Sequence, residues 1–512
     1  MTSRDRGAPA LSTHGWTPRT IGGLAVDRWV LAALSIAILL RLFNLDAAAL
    51  WLDETETAIW AALRPHEVSA TVLERVTFGD YDPRHLPFYF VVLNAWTKLA
   101  GISPWSLRLP SVVFSVIAIA LSAAVAHALA GARAARWAAV LAAISPFLIH
   151  HAQEARMYAL INMLAAGSVL LMSRYFIGRT PRLGVAFALV NVALLLTHYY
   201  TVFLVAAELA LLASCRRGSM REWFPAAAIS AAAMFVVCYV ALFLTEQSSG
   251  EVYGAGMIAL PGSIWAMVAG YAFLPSAQEM HAYGMQAVLP YLPYALVAAL
   301  PVMVTLSAGY MGLDGDARIL VALLLAGVFL GPFAASALFP RISLNPRYFM
   351  AGAPLLFAVL AMGIPRLDAP RWRKVCAAGV IGLMTWGTLH ALAHPGEKRE
   401  DIIGAGRWLE HHVALDEPVF VTSGEMASIA RYHWPERDIR LYPDRGVRTT
   451  QADAPGLTSA IPFPPDADRV IYLFGRSWVS DPQGALEQEV ARSYRSCGTA
   501  RLRGIRIYCL LR

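Results

Sequence analysis

In this chain of 512 residues, 15% are charged and 57% hydrophobic. Soluble domains carry roughly 25% charged residues, so a single water-facing globule is excluded. The formal net charge of +7 does not indicate nucleic acid, because the Lys and Arg residues sit in short loops between long apolar runs, where they report membrane topology. Five cysteines lack CxxC spacing, which argues against a dithiol or zinc centre of that kind.

Residues 1–28 form a basic tail carrying Arg4, Arg6, Arg19 and Arg28. No A-x-A-like cleavage site follows Leu45, so the first apolar run reads as an uncleaved span rather than a signal peptide. Apolar runs then cover 29–45, 85–101, 107–130, 134–150, 156–177, 183–197, 199–214, 223–244, 287–312, 318–339, 348–364 and 375–393. Crossing a bilayer core of about 30 Å takes about 20 such residues in a helix.

Basic loops at Arg133 and Arg136, at Arg174, Arg179 and Arg182, at Arg216, Arg217 and Arg221, at Arg318, and at Arg366, Arg371, Arg373 and Lys374 should share the side of the basic N-terminus. They do so if 85–101 does not cross. That run is short, contains His85, Asn94 and Lys98, has Pro87 near its start, and suits an interfacial or re-entrant helix. The sequence therefore predicts a mostly α protein: a transmembrane domain over 29–393 with about 11 spans, its N-terminus inside, and a soluble α/β domain over 394–512 outside. The outward connections are 46–106, 150–156, 197–200, 245–286 and 339–347.

The suggestive titratable residues fall in those connections. The first begins Trp51-Leu-Asp53-Glu54-Thr-Glu56; adjacent carboxylates beside a membrane are either a solvated acidic surface or poised for chemistry. Further along it, Asp80-Tyr-Asp82-Pro-Arg84-His85-Leu-Pro87 adds acids, a guanidinium and an imidazole. The turn His150-His151-Ala-Gln153-Glu154-Ala-Arg156-Met-Tyr158 can hold a divalent cation through carboxylate and imidazole, and an anion through Arg. A helix cap with a snorkelling Arg would use the same residues. His198 lies at the same expected depth as Glu154, next to Tyr199 and Tyr200, for which an interfacial aromatic belt is the default explanation. Asn345-Pro-Arg347-Tyr348 places a cation at a span start, suited to a donor phosphate or a lipid headgroup. There is no Walker loop, dinucleotide glycine pattern or GxSxG elbow.

Trp51-Leu-Asp53-Glu54, His85-Leu-Pro87-Phe-Tyr, Gln153-Glu-Ala-Arg156-Met-Tyr158-Ala-Leu, Thr197-His198-Tyr-Tyr and Pro346-Arg347-Tyr348, in that order, resemble the GT-C glycosyltransferases over roughly 30–365. Within them the resemblance is to bacterial relatives of the protein O-mannosyltransferases and the lipid A aminoarabinose transferase. It implies transfer of a sugar from a polyprenyl-phosphate carrier to an envelope acceptor at the outer face of the inner membrane. It also implies Asp53 as the base or as organiser of the site, with Glu54 as its neighbour, and Glu154, joined here by His198, as ligands of a divalent ion such as Mg, Mn or Zn. Arg84 stands where some relatives have an acid, which leaves metal dependence open. General base catalysis with inversion needs positive charge on the departing lipid phosphate rather than a general acid, and Arg156, Arg347, Arg84 and His85 could supply it. Membrane lipids, the lipid-linked donor and the acceptor are the expected partners.

From Ile402 the pattern reads helix to His412, strand at 418–422, helix to Tyr432, strand at 469–474, helix at 483–495 and a last strand at 501–511. Cys497 and Cys509 flank a segment that could close as a hairpin; a disulfide and two free thiols both fit. Two other functional classes remain open. A transporter of lipid-linked saccharides would place ionisable groups at mid-membrane, where Glu208 is the main acid, and would show repeated halves, which the sequence lacks. A non-catalytic scaffold would leave the outward acids and arginines without a role.

Overall fold

The computed structural model describes residues 27–62, 86–178, 180–214, 220–244, 259–276, 279–280, 283–339, 344–367, 370–397, 399–442, 468–477, 481 and 484–511. The chain divides into two compact units. The first comprises 1–45, 60–273 and 294–392; the second comprises 46–59, 274–293 and 393–512.

Among the described residues of the first unit, six helices are long and apolar enough to cross a membrane: Pro104–Ala130, Phe224–Leu242, Leu292–Met311, Gly315–Leu338, Pro346–Arg366 and Pro370–Ala393. Ala132–Ala143 and Pro146–Ala152, joined at a 59° bend, would make a seventh. The protein is thus a multi-pass membrane protein. Shorter apolar helices occupy Tyr158–Arg174, Pro181–Leu195, Tyr199–Ser214 and Leu260–Ala269. The last of these falls inside 245–286, which hydropathy had assigned to an outward connection. Phe88–Ala100, the doubtful run, is a helix of 13 residues. At about 20 Å it is too short to traverse a bilayer core.

The packing centre is Ala353–Gly363, all of whose residues are buried, as expected of a helix apolar on every side. It lies against Pro104–Ala130 and Ala132–Ala143, and Pro104–Ala130 in turn packs along Tyr158–Gly178. The bend after Ala143 has a clear chemical cause. Pro146 cannot donate to the ladder, and a helix end leaves carbonyls unsatisfied. The buried Arg41 guanidinium donates to the Ala142 and Ala143 carbonyls at 3.0 and 2.9 Å and to Ser115 Oγ at 2.8 Å. Thr388 Oγ1 donates to the Ile144 carbonyl at 2.8 Å. Ser145 then caps the next helix, its Oγ accepting from the Leu148 amide at 3.2 Å. A new helix direction begins there, and it carries His150 and His151.

Glu208, the intramembrane acid, sits in a polar knot linking three helices. Ser168 Oγ lies 2.8 and 2.9 Å from its carboxylate oxygens and 2.6 Å from Asn191 Oδ1. Such contacts hold helices together in an apolar medium.

The second unit carries a five-stranded sheet in the order β2-β1-β3-β5-β4. Its strands are β1 Val419–Val421, β2 Ile439–Leu441, β3 Arg469–Gly475, β4 Arg495–Leu502 and β5 Ile505–Leu511. β1, β2 and β3 run parallel, and β5 is antiparallel to β3 and β4. Alternation of side chains divides the core into two. Val419, Val421, Ile471, Leu473, Ile505 and Ile507 face the helices Ile402–His412 and Gly424–His433, whereas Phe420, Tyr472, Phe474 and Leu510 face Ala485–Ser493.

The run expected as one strand at 501–511 is a hairpin, because Gly504 takes φ +71° and turns the chain. The three-residue β2 gave no periodic signal. Cys497 and Cys509 form a disulfide across this hairpin, with Cα atoms 5.1 Å apart. Closing a loop of that length contributes about 3 kcal/mol to stability.

Candidate functional site

The expected site residues fall in both units. Glu154, Arg156, His198 and Arg347 belong to the first, and Asp53 and Glu54 to the second. Arg84 and His85 lie outside the described residues.

In the first unit, the bend brings His150 and His151 to the end of Pro146–Ala152, and the chain turns back through Gln153–Met157. Gln153 Nε2 donates to the Phe43 and Arg41 carbonyls at 2.8 and 3.2 Å, anchoring the turn to the end of the helix Arg28–Leu42. The buried Glu154 carboxylate meets both imidazoles: His151 Nδ1 at 2.8 Å on one oxygen and His150 Nε2 at 3.3 Å on the other. The potential ligand atoms of His150, His151 and Glu154 lie within 4.8 Å of one another. Two imidazoles and one carboxylate are a donor set that suits Zn or Mn, so these residues fit a divalent ion.

His151 Nε2 lies 3.0 Å from the Tyr271 hydroxyl. Tyr271 had no signal in the sequence. It follows Gly270, whose φ of +74° and close approach to Pro146 would not admit a Cβ.

His198, expected as a ligand with Glu154, is engaged otherwise. Its Nδ1 accepts from the Tyr200 amide at 3.3 Å, capping the turn Tyr199–Thr201. Its ring lies among tyrosines, with centroids 5.2 Å from Tyr348, 5.5 Å from Tyr200 and 6.0 Å from Tyr158. Among the described residues, the ligand atoms that lie together are those of His150, His151 and Glu154, and His198 is not in that group.

Arg347 is half-buried in the turn Pro346–Gly352, where Asn345 Oδ1 accepts its amide at 3.2 Å. Its guanidinium carbon stands 5.5 Å from the Tyr158 ring centre and 5.4 Å from that of Tyr348. Aromatic faces attract a planar cation and keep it oriented while leaving its N–H groups directed elsewhere. Tyr200 and Tyr348, 4.6 Å apart, continue this wall. Tyr200, assigned by default to an interfacial belt, therefore packs against His198 and Tyr348. Arg156 is buried, and its carbonyl accepts from Ser111 Oγ at 3.2 Å.

In the second unit, Asp53 and Glu54 occupy the first turn of Leu52–Ala62, where the helix dipole favours negative charge. Their environments differ. Asp53 is half-exposed, whereas Glu54 is fully buried and paired with Arg399 at 3.5 Å. The Arg399 guanidinium also lies over the Trp51 ring at 5.2 Å. His433 Nε2 donates to the Leu50 carbonyl at 2.8 Å. Burial holds its imidazole below the ordinary value, outweighing the pull of that carbonyl and of Glu54 in the other direction. Neither Arg399 nor His433 stood out in the sequence: Arg399 lies within the charged run Glu397-Lys398-Arg399-Glu400-Asp401 and His433 near Arg431, and neither forms a recognisable motif.

Comparison with known proteins bears on both units. Residues 83–243 match the family described as dolichyl-phosphate-mannose-protein mannosyltransferase. No curated protein sequence matches the chain. The fold is similar to that of apo ArnT from Cupriavidus metallidurans, at 14% identity and TM-score 0.50, over 95% of this chain and 98% of that one. It is also similar to the Archaeoglobus fulgidus oligosaccharyltransferase in complex with Zn and sulfate, at 12% identity and TM-score 0.52, over 92% of this chain and 71% of that one. The chain has the GT-C fold that its motifs resemble.

Proposed function

We propose that this protein is an inverting glycosyltransferase that moves a sugar from a polyprenyl-phosphate carrier to a glycolipid, polysaccharide or protein of the cell envelope, at the periplasmic face of the inner membrane. One observation carries the reading. The segment that matches a family named for a lipid-phosphate sugar donor, 83–243, is the segment that supplies His150, His151, Glu154, Arg156, Tyr158, His198 and Tyr200.

In the proposed reaction the half-exposed Asp53 takes the proton of the acceptor hydroxyl as its oxygen bonds to the anomeric carbon. The bond from that carbon to the phosphate oxygen breaks, and its electron pair leaves with the lipid phosphate. Arg156 and Arg347, with Arg84 and His85, stabilise that anion. Glu54, the other carboxylate of the pair, maintains the placement of Asp53. Because the donor and the departing carrier phosphate are both lipids, a bundle of spans gives them lateral passage to and from the bilayer.

His150, His151 and Glu154 would hold a divalent ion, which would add positive charge for the phosphate to bind. The relative solved with Zn and sulfate supports a metal and an anion on this fold. Glu154→Gln is expected to reduce divalent binding, read by calorimetry and by elemental analysis of dialysed protein, at least tenfold. Chelation should lower transfer by the wild type. Equal metal content in the wild type and the variant would remove the metal from this cluster.

We assign about 11 spans, with the N-terminus cytoplasmic and residues 394–512 periplasmic, from the Lys and Arg loops. In oriented vesicles, a cysteine placed at Lys98 should label from the periplasm and one at Arg133 from the cytoplasm. The reverse pattern would invert the assignment.

The function itself is tested with purified protein in nanodiscs, polyprenyl-phosphate sugars and membrane extract, with products read by mass spectrometry. Translocation of a lipid-linked saccharide without any glycosidic product would favour a transporter.

A further inference from the structure

The second unit contains more than the C-terminal segment, because residues 46–59 cluster with it. We propose that the C-terminal α/β module positions the acidic pair, with Arg399 as the principal positioning residue and His433 as its companion; this rests on the reading of Asp53 as the base.

Four ties run from the module to residues 50–54. His433, at the end of Gly424–His433, holds the Leu50 carbonyl at 2.8 Å. Leu52 is buried in the sheet core with Ile402, Leu409, Met426, Ala430 and Trp434. Arg399 pairs with the fully buried Glu54 and covers the Trp51 ring. Arg399 is itself fixed, since its carbonyl accepts from Arg503 Nε at 2.9 Å, and the Asp401 amide donates to the Arg503 carbonyl at 2.8 Å. The turn between β4 and β5 thus connects through Arg399 to the start of the acidic helix.

The pairing at Glu54 gives this connection its chemical consequence. A buried carboxylate without a cation is strongly disfavoured, so Glu54 keeps its place through Arg399. Asp53 is the adjacent residue in the same helical turn, and it is displaced if Glu54 moves outward to water. Misplacing a reacting group by about 1 Å can cost on the order of 10²-fold in rate.

Full-length protein with saturating acceptor provides the test. Arg399→Ala is expected to lower kcat on the order of 10²-fold with donor KM unchanged, because the donor contacts are intact. Among the described residues, the titratable or charged groups near Glu54 include Arg399 and His433 from the module, and Asp53 and Glu56 lie on its own helix. Loss of the Arg399 charge should therefore move the acid limb of the kcat profile to higher pH, since a nearby cation favours the charged form of a carboxylate. Arg399→Lys restores the charge and should return the limb and most of kcat.

A merely destabilised protein would lose rate equally at every pH, and the thermal midpoint of each variant is recorded to normalise for folded fraction. Parental kcat in Arg399→Ala, or a loss shared by Arg399→Lys without any movement of the limb, overturns the proposal. Asp53→Asn separates the two levels: a variant that still transfers sugar overturns the base assignment together with this inference. An inactive Asp53→Asn beside a fully active Arg399→Ala overturns the positioning role alone.

Discussion

Asp53→Asn is expected to reduce sugar transfer by about 10²–10⁴-fold, the range that general base catalysis contributes. The substitution keeps the size of the side chain and its capacity to accept a hydrogen bond at the start of Leu52–Ala62. What it removes is basicity, so the acceptor hydroxyl loses the group that takes its proton. The neighbouring Glu54 cannot take over, because it is fully buried and committed to Arg399. The loss should fall on kcat, with donor KM unchanged, in protein that expresses and elutes like the parent. Steady-state transfer assays in nanodiscs measure both constants. Retention of more than a tenth of parental kcat would remove Asp53 from the role of base.

Arg347→Ala carries the second largest expected effect, on the order of 10²–10³-fold in kcat/KM for the lipid-linked donor, as for loss of one preorganised donor to a developing anion. Arg347 emerges from a short turn whose Asn345 cap fixes the backbone, and the Tyr158 and Tyr348 rings fix the plane of its guanidinium. Such a cation has little to reorganise when a phosphate departs. Arg347→Lys keeps the charge but loses the planar fork and much of the stacking, so it should recover only part of the activity. If the residue instead anchors a lipid headgroup, Arg347→Ala would leave both kinetic constants in place and alter only detergent stability.

The membrane class of the protein was legible from local properties. Hydropathy and the positions of Lys and Arg are additive along the chain, and the cost of placing a polar backbone in lipid leaves helices as the ready solution for such runs. The module's alternating helices and strands were legible for the same reason. The strand Arg495–Leu502 and the short β2 were not, although the spacing of Cys497 and Cys509 allowed a hairpin there, because three strand residues make no period and the helical reading ran on to 495. The bend at Ser145 was also hidden: Pro146 hints at it, but the carbonyls freed there are satisfied by Arg41 and Thr388 from remote helices.

Through a resemblance of contiguous short motifs, the sequence by itself grouped Asp53, Glu54, Glu154, Arg156, His198 and Arg347 into one ordered set. It could not rank two adjacent carboxylates of the same chemistry. Only the tertiary structure separates the buried Glu54 from the half-exposed Asp53 and adds Tyr271, Arg399 and His433. Burial and ion pairing arise from contacts between residues far apart in the chain, and a single sequence carries no local signature of which distant residue will arrive.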